Sequence, residues 1–282
     1  MKKNLNSVFA GFIMSLLIIV PSVLSGQSEK AVVKKYLTEL PKIAVSKTLQ
    51  KYRMTAVYTN MDLYGKFTGK IKVSGDYTRG LENGNVLWNN VSISNSSNAD
   101  EPFKEGTKQD YMENFKYVPS VKMVEDKDAF KIFPTSLDNI YSRNLVWDMM
   151  SFEIFAWNYY DSLQLNKTYI IPDINGQFEM SDIGTYSHKK IMLTWTGISV
   201  VNGELCAIVE FDAIDNKIEM NMDQIKTRGT EQYWGTVMIS LNTKNIEQAV
   251  MYSGTIQEIE VKGMKDKFLV KTIRELEINK IQ

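Results

Sequence analysis

Histidine and cysteine are almost absent from this sequence, which removes most of the side chains that enzymes use for catalysis. The 282 residues include one histidine, His188, and one cysteine, Cys206. A Ser-His-Asp arrangement would need His188, but no G-x-S-x-G motif accompanies it, and a structural zinc site needs four nitrogen, sulfur or carboxylate ligands. P-loop, dinucleotide-binding and EF-hand motifs are also absent. The sequence therefore predicts no catalytic residue, no metal site and no cofactor.

The surroundings of the two rare residues predict structural roles for both. With a single cysteine, no intramolecular disulfide can form, and the place of Cys206 inside an apolar segment predicts a buried, unreactive thiol. His188 lies in a polar run, residues 186–190, just before a strand. We expect it in a solvated loop.

An excess of charge of either sign is also missing. The chain has 33 basic and 33 acidic residues, so it lacks the basic surface that nucleic acid requires. Carboxylates remain numerous, and glycosidases work with two of them and no histidine. A carboxylate-dependent hydrolase therefore stays an alternative, although the sequence does not show which pair would act.

Long hydrophobic runs are missing too, apart from one near the N-terminus. Two lysines precede the apolar run 8–20, and Pro21 and small residues follow it. This layout is typical of a secretory signal peptide, and the run is short for a membrane span of about 20 residues. We predict a signal peptide over residues 1–26, cleaved near Gln27, with an uncleaved anchor as the alternative. Residues 27–282 would then form one domain in the periplasm or outside the cell.

Proline is absent after Pro172, as expected for paired interior strands, in which proline would remove a hydrogen-bond donor. The same part of the chain contains short alternating apolar segments separated by turn residues. The fold class predicted is mainly β: a large antiparallel meander forming a barrel or half-barrel, with one or two helices packed on it. Leucine and aromatic residues at helical spacing predict a helix over 142–160. Polar residues predict a loop excursion over 95–118, and residues 122–133 are expected to form a hairpin.

The strongest local signal is Asn202-Gly203, which lies between two apolar runs and predicts a type I′ hairpin turn. This turn places Val201 opposite Glu204. Continued without interruption, the register puts Thr194 and Thr196 on the core face and Trp195 on a mixed face. A second long strand is predicted over 63–77, with its glycines on the apolar face, where glycine often marks a bend or a close approach.

Aromatic residues supply the candidate binding site. Large apolar side chains near the mouth of a barrel can form a pocket for a lipid-like or aromatic ligand. The predicted ligand-binding residues are Trp195, Tyr233, Trp234, Phe152 and Phe155. The alternative for each of them is ordinary packing in the core.

The stretch Thr227–Leu241, the turn 242–245 and the strand Ile246–Tyr252 resemble secreted bacterial β-meander proteins of unassigned function. More distantly, the layout of residues 168–282 is similar to the half-barrel lipoprotein carriers of the bacterial envelope. Those carriers enclose acyl chains in a half-barrel closed by helices. The resemblance implies an exported, non-enzymatic binding protein for a hydrophobic small molecule or lipid. A structural envelope protein, with a filled barrel and a protein partner, is the main alternative.

Overall fold

The computed structural model describes residues 31, 33–134, 139–172, 176–222 and 224–281, so the predicted signal peptide lies outside the described residues. Thirteen strands form one antiparallel sheet that does not close on itself, and one long helix lies against it. This half-barrel meander confirms the predicted fold class. No helix within the described ranges has both the length and the apolar character needed to cross a membrane.

The strands of the described residues are between 2 and 19 residues long. They are β1 Gln50–Asp62, β2 Phe67–Arg79, β3 Val86–Ser96, β4 Thr107–Lys108, β5 Phe115–Tyr117, β6 Thr168–Ile170, β7 Gly176–Glu179, β8 Gly184–His188, β9 Lys190–Val201, β10 Glu204–Met222, β11 Ile225–Ser240, β12 Ile246–Val261 and β13 Phe268–Ile281. Their order is β4-β3-β2-β1-β13-β12-β11-β10-β8-β7, with β5 on β3, β9 on β10 and β6 on β9. The first and last strands are therefore neighbours in the middle of the sheet.

Two α-helices lie between β5 and β6: α1, Val121–Glu125, and α2, Asn139–Glu153, which continues into one π-helical turn, Ile154–Asn158. Residues 31 and 33–36 are helical as well. Short 3₁₀ turns occur at Glu82–Gly84, Asp110–Met112, Lys127–Phe130 and Tyr160–Ser162. Helix α2 with its π-helical turn occupies the region predicted as a helix over 142–160.

Two other segments differ from expectation. The predicted loop 95–118 contains β4 and β5, which both pair with β3. The hairpin predicted over 122–133 is wrong, because α1 and a 3₁₀ turn occupy this segment. Helix α1 begins where the Ser120 side chain accepts a hydrogen bond from the Met123 N–H, at 3.2 Å. Such a cap satisfies a backbone donor that the first helical turn leaves free.

The β9–β10 hairpin turns at Asn202 and Gly203, whose φ angles of 52° and 80° match the predicted turn. The predicted register holds as far as the pairing of Gly197 with Ile208, after which a β-bulge shifts it by one residue. Trp195 consequently faces Val209. A shift of one residue exchanges the two faces of a strand, so placing Thr194 and Thr196 on the core face was wrong.

The strand predicted from residue 63 begins later, at Phe67, because residues 63–66 form the turn after β1. Within β2, Gly75 lies at a register shift against β3. A Cβ atom on Gly75 would lie 2.7 Å from Val91 Cγ2 and 3.4 Å from the Trp88 ring. The expected close approach is therefore present, and it lets Val91 and Trp88 pack tightly in the core.

Candidate functional site

Four of the five predicted ligand-binding residues lie in the core between α2 and the concave face of the sheet. Phe152, Phe155, Trp195 and Tyr233 are between 1% and 6% exposed. The Phe155 ring lies 4.8 Å from the Phe211 ring and 6.4 Å from that of Tyr233, measured between centroids. These side chains fill the interior rather than line an open pocket.

Trp195 and Trp234 lie on opposite faces of the sheet. The Trp195 indole N–H donates to the Gly197 carbonyl at 2.8 Å, which satisfies its polar atom inside the core. Trp234 is 48% exposed on the outer face and stacks on Tyr252, with 6.3 Å between ring centroids. The structure therefore does not bring Trp234 together with the other predicted site residues.

A charged cluster lies beneath α2, centred on Arg274 of β13. Arg274 Nη1 lies 3.0 Å from Asp148 Oδ2 of α2, and Nη2 lies 3.7 Å from Glu231 Oε1 of β11. The Tyr186 hydroxyl donates to the other Glu231 oxygen at 2.6 Å. Asn144, one turn before Asp148, donates to the Tyr58 hydroxyl at 3.1 Å. Both charged residues of the closest pair are more than nine-tenths buried.

A second ion pair connects the end of α2 with β2 of the sheet. Arg79 Nε, at the end of β2, lies 2.6 Å from Glu153 Oε1. The Arg79 guanidinium also lies 5.4 Å from the centre of the Trp157 ring, within the π-helical turn. Helix α2 thus presents two carboxylates to two arginines on the concave face.

Burial changes the acidity of both carboxyl groups. It raises the pKa of Asp148 to about 6, although Arg274 opposes the rise. It raises the pKa of Glu153 to about 7, again against the effect of an arginine, Arg79. The pKa of Arg274 lies above its usual range: burial would lower it, but Asp148, Tyr58 and Glu231 outweigh burial. For both carboxyl groups, the rise in pKa caused by burial is therefore larger than the fall caused by the neighbouring arginine.

The two rare residues have the following surroundings. Cys206 is fully buried, as predicted, and burial raises the pKa of its thiol to about 12, which disfavours the reactive thiolate. The expectation of a solvated loop for His188 is wrong. His188 ends β8, its ring lies 4.8 Å from that of Tyr186, and its Nδ1 is 3.2 Å from Asn216 Oδ1. Burial lowers the pKa of His188, which favours the neutral ring.

Two clefts open on the surface. One, of about 420 Å³, lies between β5 and residues 128–132, and the other, of about 390 Å³, lies over β1, β2 and β3. None of the predicted ligand-binding residues lines either of them. Among the residues that the structure describes, no group of three or more histidine, cysteine or acidic side chains could hold a metal ion.

The sequence carries a signal for the charged cluster in the pattern of β13 and α2. Arg274 is the one charged residue in the series Val270, Thr272, Arg274, Leu276 and Ile278 of β13, and Lys280 follows only at the end of the strand. Asp148 and Glu153 stand among the apolar residues of α2 in the same way. A lone charge on an apolar face is costly unless it is paired, so each of these residues predicts a buried partner of opposite charge. The sequence does not identify that partner.

Comparisons with known proteins add little to this description. No protein-family model and no curated protein matches the chain. Among solved structures it is similar to a DUF1329 family protein from Desulfovibrio piger ATCC 29098, with 8% sequence identity over 82% of this chain and 86% of that chain. The TM-score is 0.13, so this likeness carries no argument about fold or function.

Proposed function

We propose that the protein is an exported, non-enzymatic binding protein of the bacterial envelope, and that its ligand is hydrophobic or amphipathic. Helix α2 would occupy the binding face in the ligand-free form and move aside for the ligand. The observation that carries this proposal is the mode of contact between α2 and the concave face, which combines apolar packing with two buried ion pairs.

The apolar part of this contact provides the surface that a ligand would cover. The concave side of the sheet is lined by buried aliphatic and aromatic residues, among them Met54, Ala56, Phe211, Val237, Ile239, Ala249, Met251, Leu276 and Ile278. An open sheet with such a face must cover it with something. One helix does so here, and an acyl chain or a similar molecule would bury the same surface.

The polar part of the contact supports displacement of the helix. Buried ion pairs add little net stability relative to apolar packing, because both charges lose water. The raised pKa values of Asp148 and Glu153 reflect that loss. A helix that served only as filling would be better stabilised by apolar residues at these positions. Both carboxylates that could serve a hydrolase in this cluster, Asp148 and Glu231, contact Arg274, which favours a structural role over catalysis.

The second candidate is a partner-binding protein whose interior stays filled. It is favoured by the exposed apolar residues on the outer face, where Trp234 and Tyr252 stack and Ile256 and Ile273 lie nearby on β12 and β13. Exposed apolar patches of this kind often mark sites of protein interaction. An envelope protein would be the partner.

Titration of a neutral fluorescent probe, N-phenyl-1-naphthylamine, into the chain lacking residues 1–26 separates the two candidates. The carrier predicts saturable binding that Phe155→Leu weakens and Trp234→Leu does not. These two variants form a matched pair, since each shortens one aromatic residue of the proposed site or of the outer face. Absence of saturable binding by the wild type would contradict the carrier.

Export is tested separately by N-terminal sequencing from the native host, where a start near Gln27 is expected.

A further inference from the structure

Two arginines on the concave face depend on α2 for their counter-charges. Arg274 is 9% exposed and pairs with Asp148, while Arg79 has a side chain 19% exposed and pairs with Glu153. Both carboxylates belong to the same helix and lie five positions apart. Movement of α2 away from the sheet would therefore remove both counter-charges in one step.

Removing these carboxylates leaves the sheet with unbalanced positive charge in apolar surroundings. Glu231 remains on β11, but it lies farther from Arg274 than Asp148 does, at 3.7 Å against 3.0 Å. Arg79 keeps its hydrogen bond to the Gly84 carbonyl, at 3.0 Å, but this partner carries no charge, and its ring contact with Trp157 lies in the helical segment. A buried arginine that has lost its nearest carboxylate is unfavourable, because the charge has given up water without full compensation. A ligand that covers this face must therefore supply negative charge or leave the arginines exposed to water.

Unused hydrogen-bond capacity lies beside Arg274. Ser253 faces Arg274 directly across the β12–β13 pair and is 1% exposed. In the part of the chain that the structure describes, neither the Ser253 hydroxyl nor Arg274 Nε has a hydrogen-bond partner. An oxyanion with several acceptor oxygens could use both donors in addition to the guanidinium edge that Asp148 occupies.

We propose that the ligand is an anionic amphiphile, whose carboxylate or phosphate replaces Asp148 on Arg274 while its apolar chain covers the face now covered by α2. This inference rests on the proposed carrier function and adds the ligand's charge to it. The helix carboxylates act as internal substitutes for the head group. Arg79, which pairs with Glu153 in the same way, provides a second position for negative charge. A ligand with two acidic groups would occupy both positions.

The test compares amphiphiles that share a twelve-carbon chain and differ in the head group: dodecanoate, dodecyl phosphate, dodecanol and dodecyltrimethylammonium. Each displaces the naphthylamine probe from the chain lacking residues 1–26, below its micelle concentration. We expect an anionic head group to bind about tenfold or more tightly than dodecanol, because a charged group pairs with a desolvated arginine. The order of carboxylate and phosphate identifies the preferred acid.

Four variants connect this preference with the cluster. Arg274→Met should abolish the preference for anions, whereas Arg274→Lys should retain most of it. Arg228→Met is the matched control, since Arg228 pairs with Glu258 on the outer face and is 70% exposed in its side chain. Asp148→Asn should tighten anion binding, because it removes the competing carboxylate. Melting curves establish that each variant is folded before binding is measured.

The possible results separate the two proposals. Equal affinity for dodecanol and dodecanoate, or a preference that survives in the folded Arg274→Met variant, would overturn the anionic ligand and leave the carrier function standing. Binding of no amphiphile and no probe by the wild type would overturn the carrier function itself. A preference for anions that is lost with Arg274 and retained in Arg228→Met supports both.

Discussion

Glu153 should make the stability of this protein depend on pH in an unusual direction. Its carboxyl group is buried against Arg79, and its pKa rises from 4.5 to about 7. The folded protein therefore binds a proton at this site more tightly than the unfolded chain does. The stabilisation by this proton is complete below pH 4.5 and is lost as the pH rises through about 7. We expect the free energy of unfolding to be larger at pH 5 than at pH 8.

The magnitude follows from the size of the shift. One pKa unit corresponds to about 1.4 kcal/mol, so the full contribution of Glu153 is about 3 kcal/mol, most of it lost between pH 5 and pH 8. Asp148 acts in the same direction, since burial raises its pKa to about 6. His188 acts in the opposite direction, because its pKa is lowered and the folded state resists its protonation. A single-protein pH profile would mix these three contributions.

Comparison with Glu153→Gln isolates the effect. Urea denaturation of the wild type and of this variant, from pH 5 to pH 8, gives the free energy of unfolding of each. The contributions of Asp148 and His188 are common to both proteins and cancel in the difference. We expect the wild type to lose about 2–3 kcal/mol more than the variant across this range. Identical pH dependence in the two proteins would show that Glu153 is ionised normally, and the account of its burial would be wrong.

Three further predictions test the packing by chemical denaturation. Gly75→Ala should destabilise the fold by about 1–3 kcal/mol, because its Cβ would lie 2.7 Å from Val91. Gly254→Ala is the control, since no atom lies within 4 Å of its Cβ. An equal loss of stability in the two variants would contradict the reasoning. Trp195→Ala should cost about 3–5 kcal/mol, as for a packed aromatic residue, and a loss below 1 kcal/mol would indicate a loosely filled interior. Gly203→Val should cost about 1 kcal/mol or more, because a β-branched residue resists the φ of 80°; an unchanged midpoint would contradict the turn.

The β9–β10 hairpin shows which features of a strand pair can be predicted from neighbouring residues. Asn202 and Gly203 tolerate positive φ, and this property alone predicted the turn and the first pairings beside it. The bulge after Ile208 was not predictable in the same way. It is formed where Trp195 enters the core beside Val209, which depends on the space left by distant elements. Beyond a bulge, every face assignment made from alternation is reversed.

The candidate site was predicted only in part. Aromatic residues in the helical segment and in β9 and β11 were expected near the interior, and Phe152, Phe155, Trp195 and Tyr233 are indeed buried there. Whether they bind a ligand stays a prediction. Trp234 follows Tyr233 directly in an extended strand. Successive side chains of a strand point to opposite faces, so these two residues do not belong to one site.

The sequence by itself determined the class of this fold, through alternating strands, turn residues and one segment of helical spacing, because each of these acts over a few residues. Only the tertiary structure decided which strands are neighbours and which side chains meet. Asp148 and Arg274 are 126 positions apart, and β1 pairs with β13 across most of the chain. Contacts of this kind depend on how the whole sheet curves around α2, so no local pattern of residues specifies them.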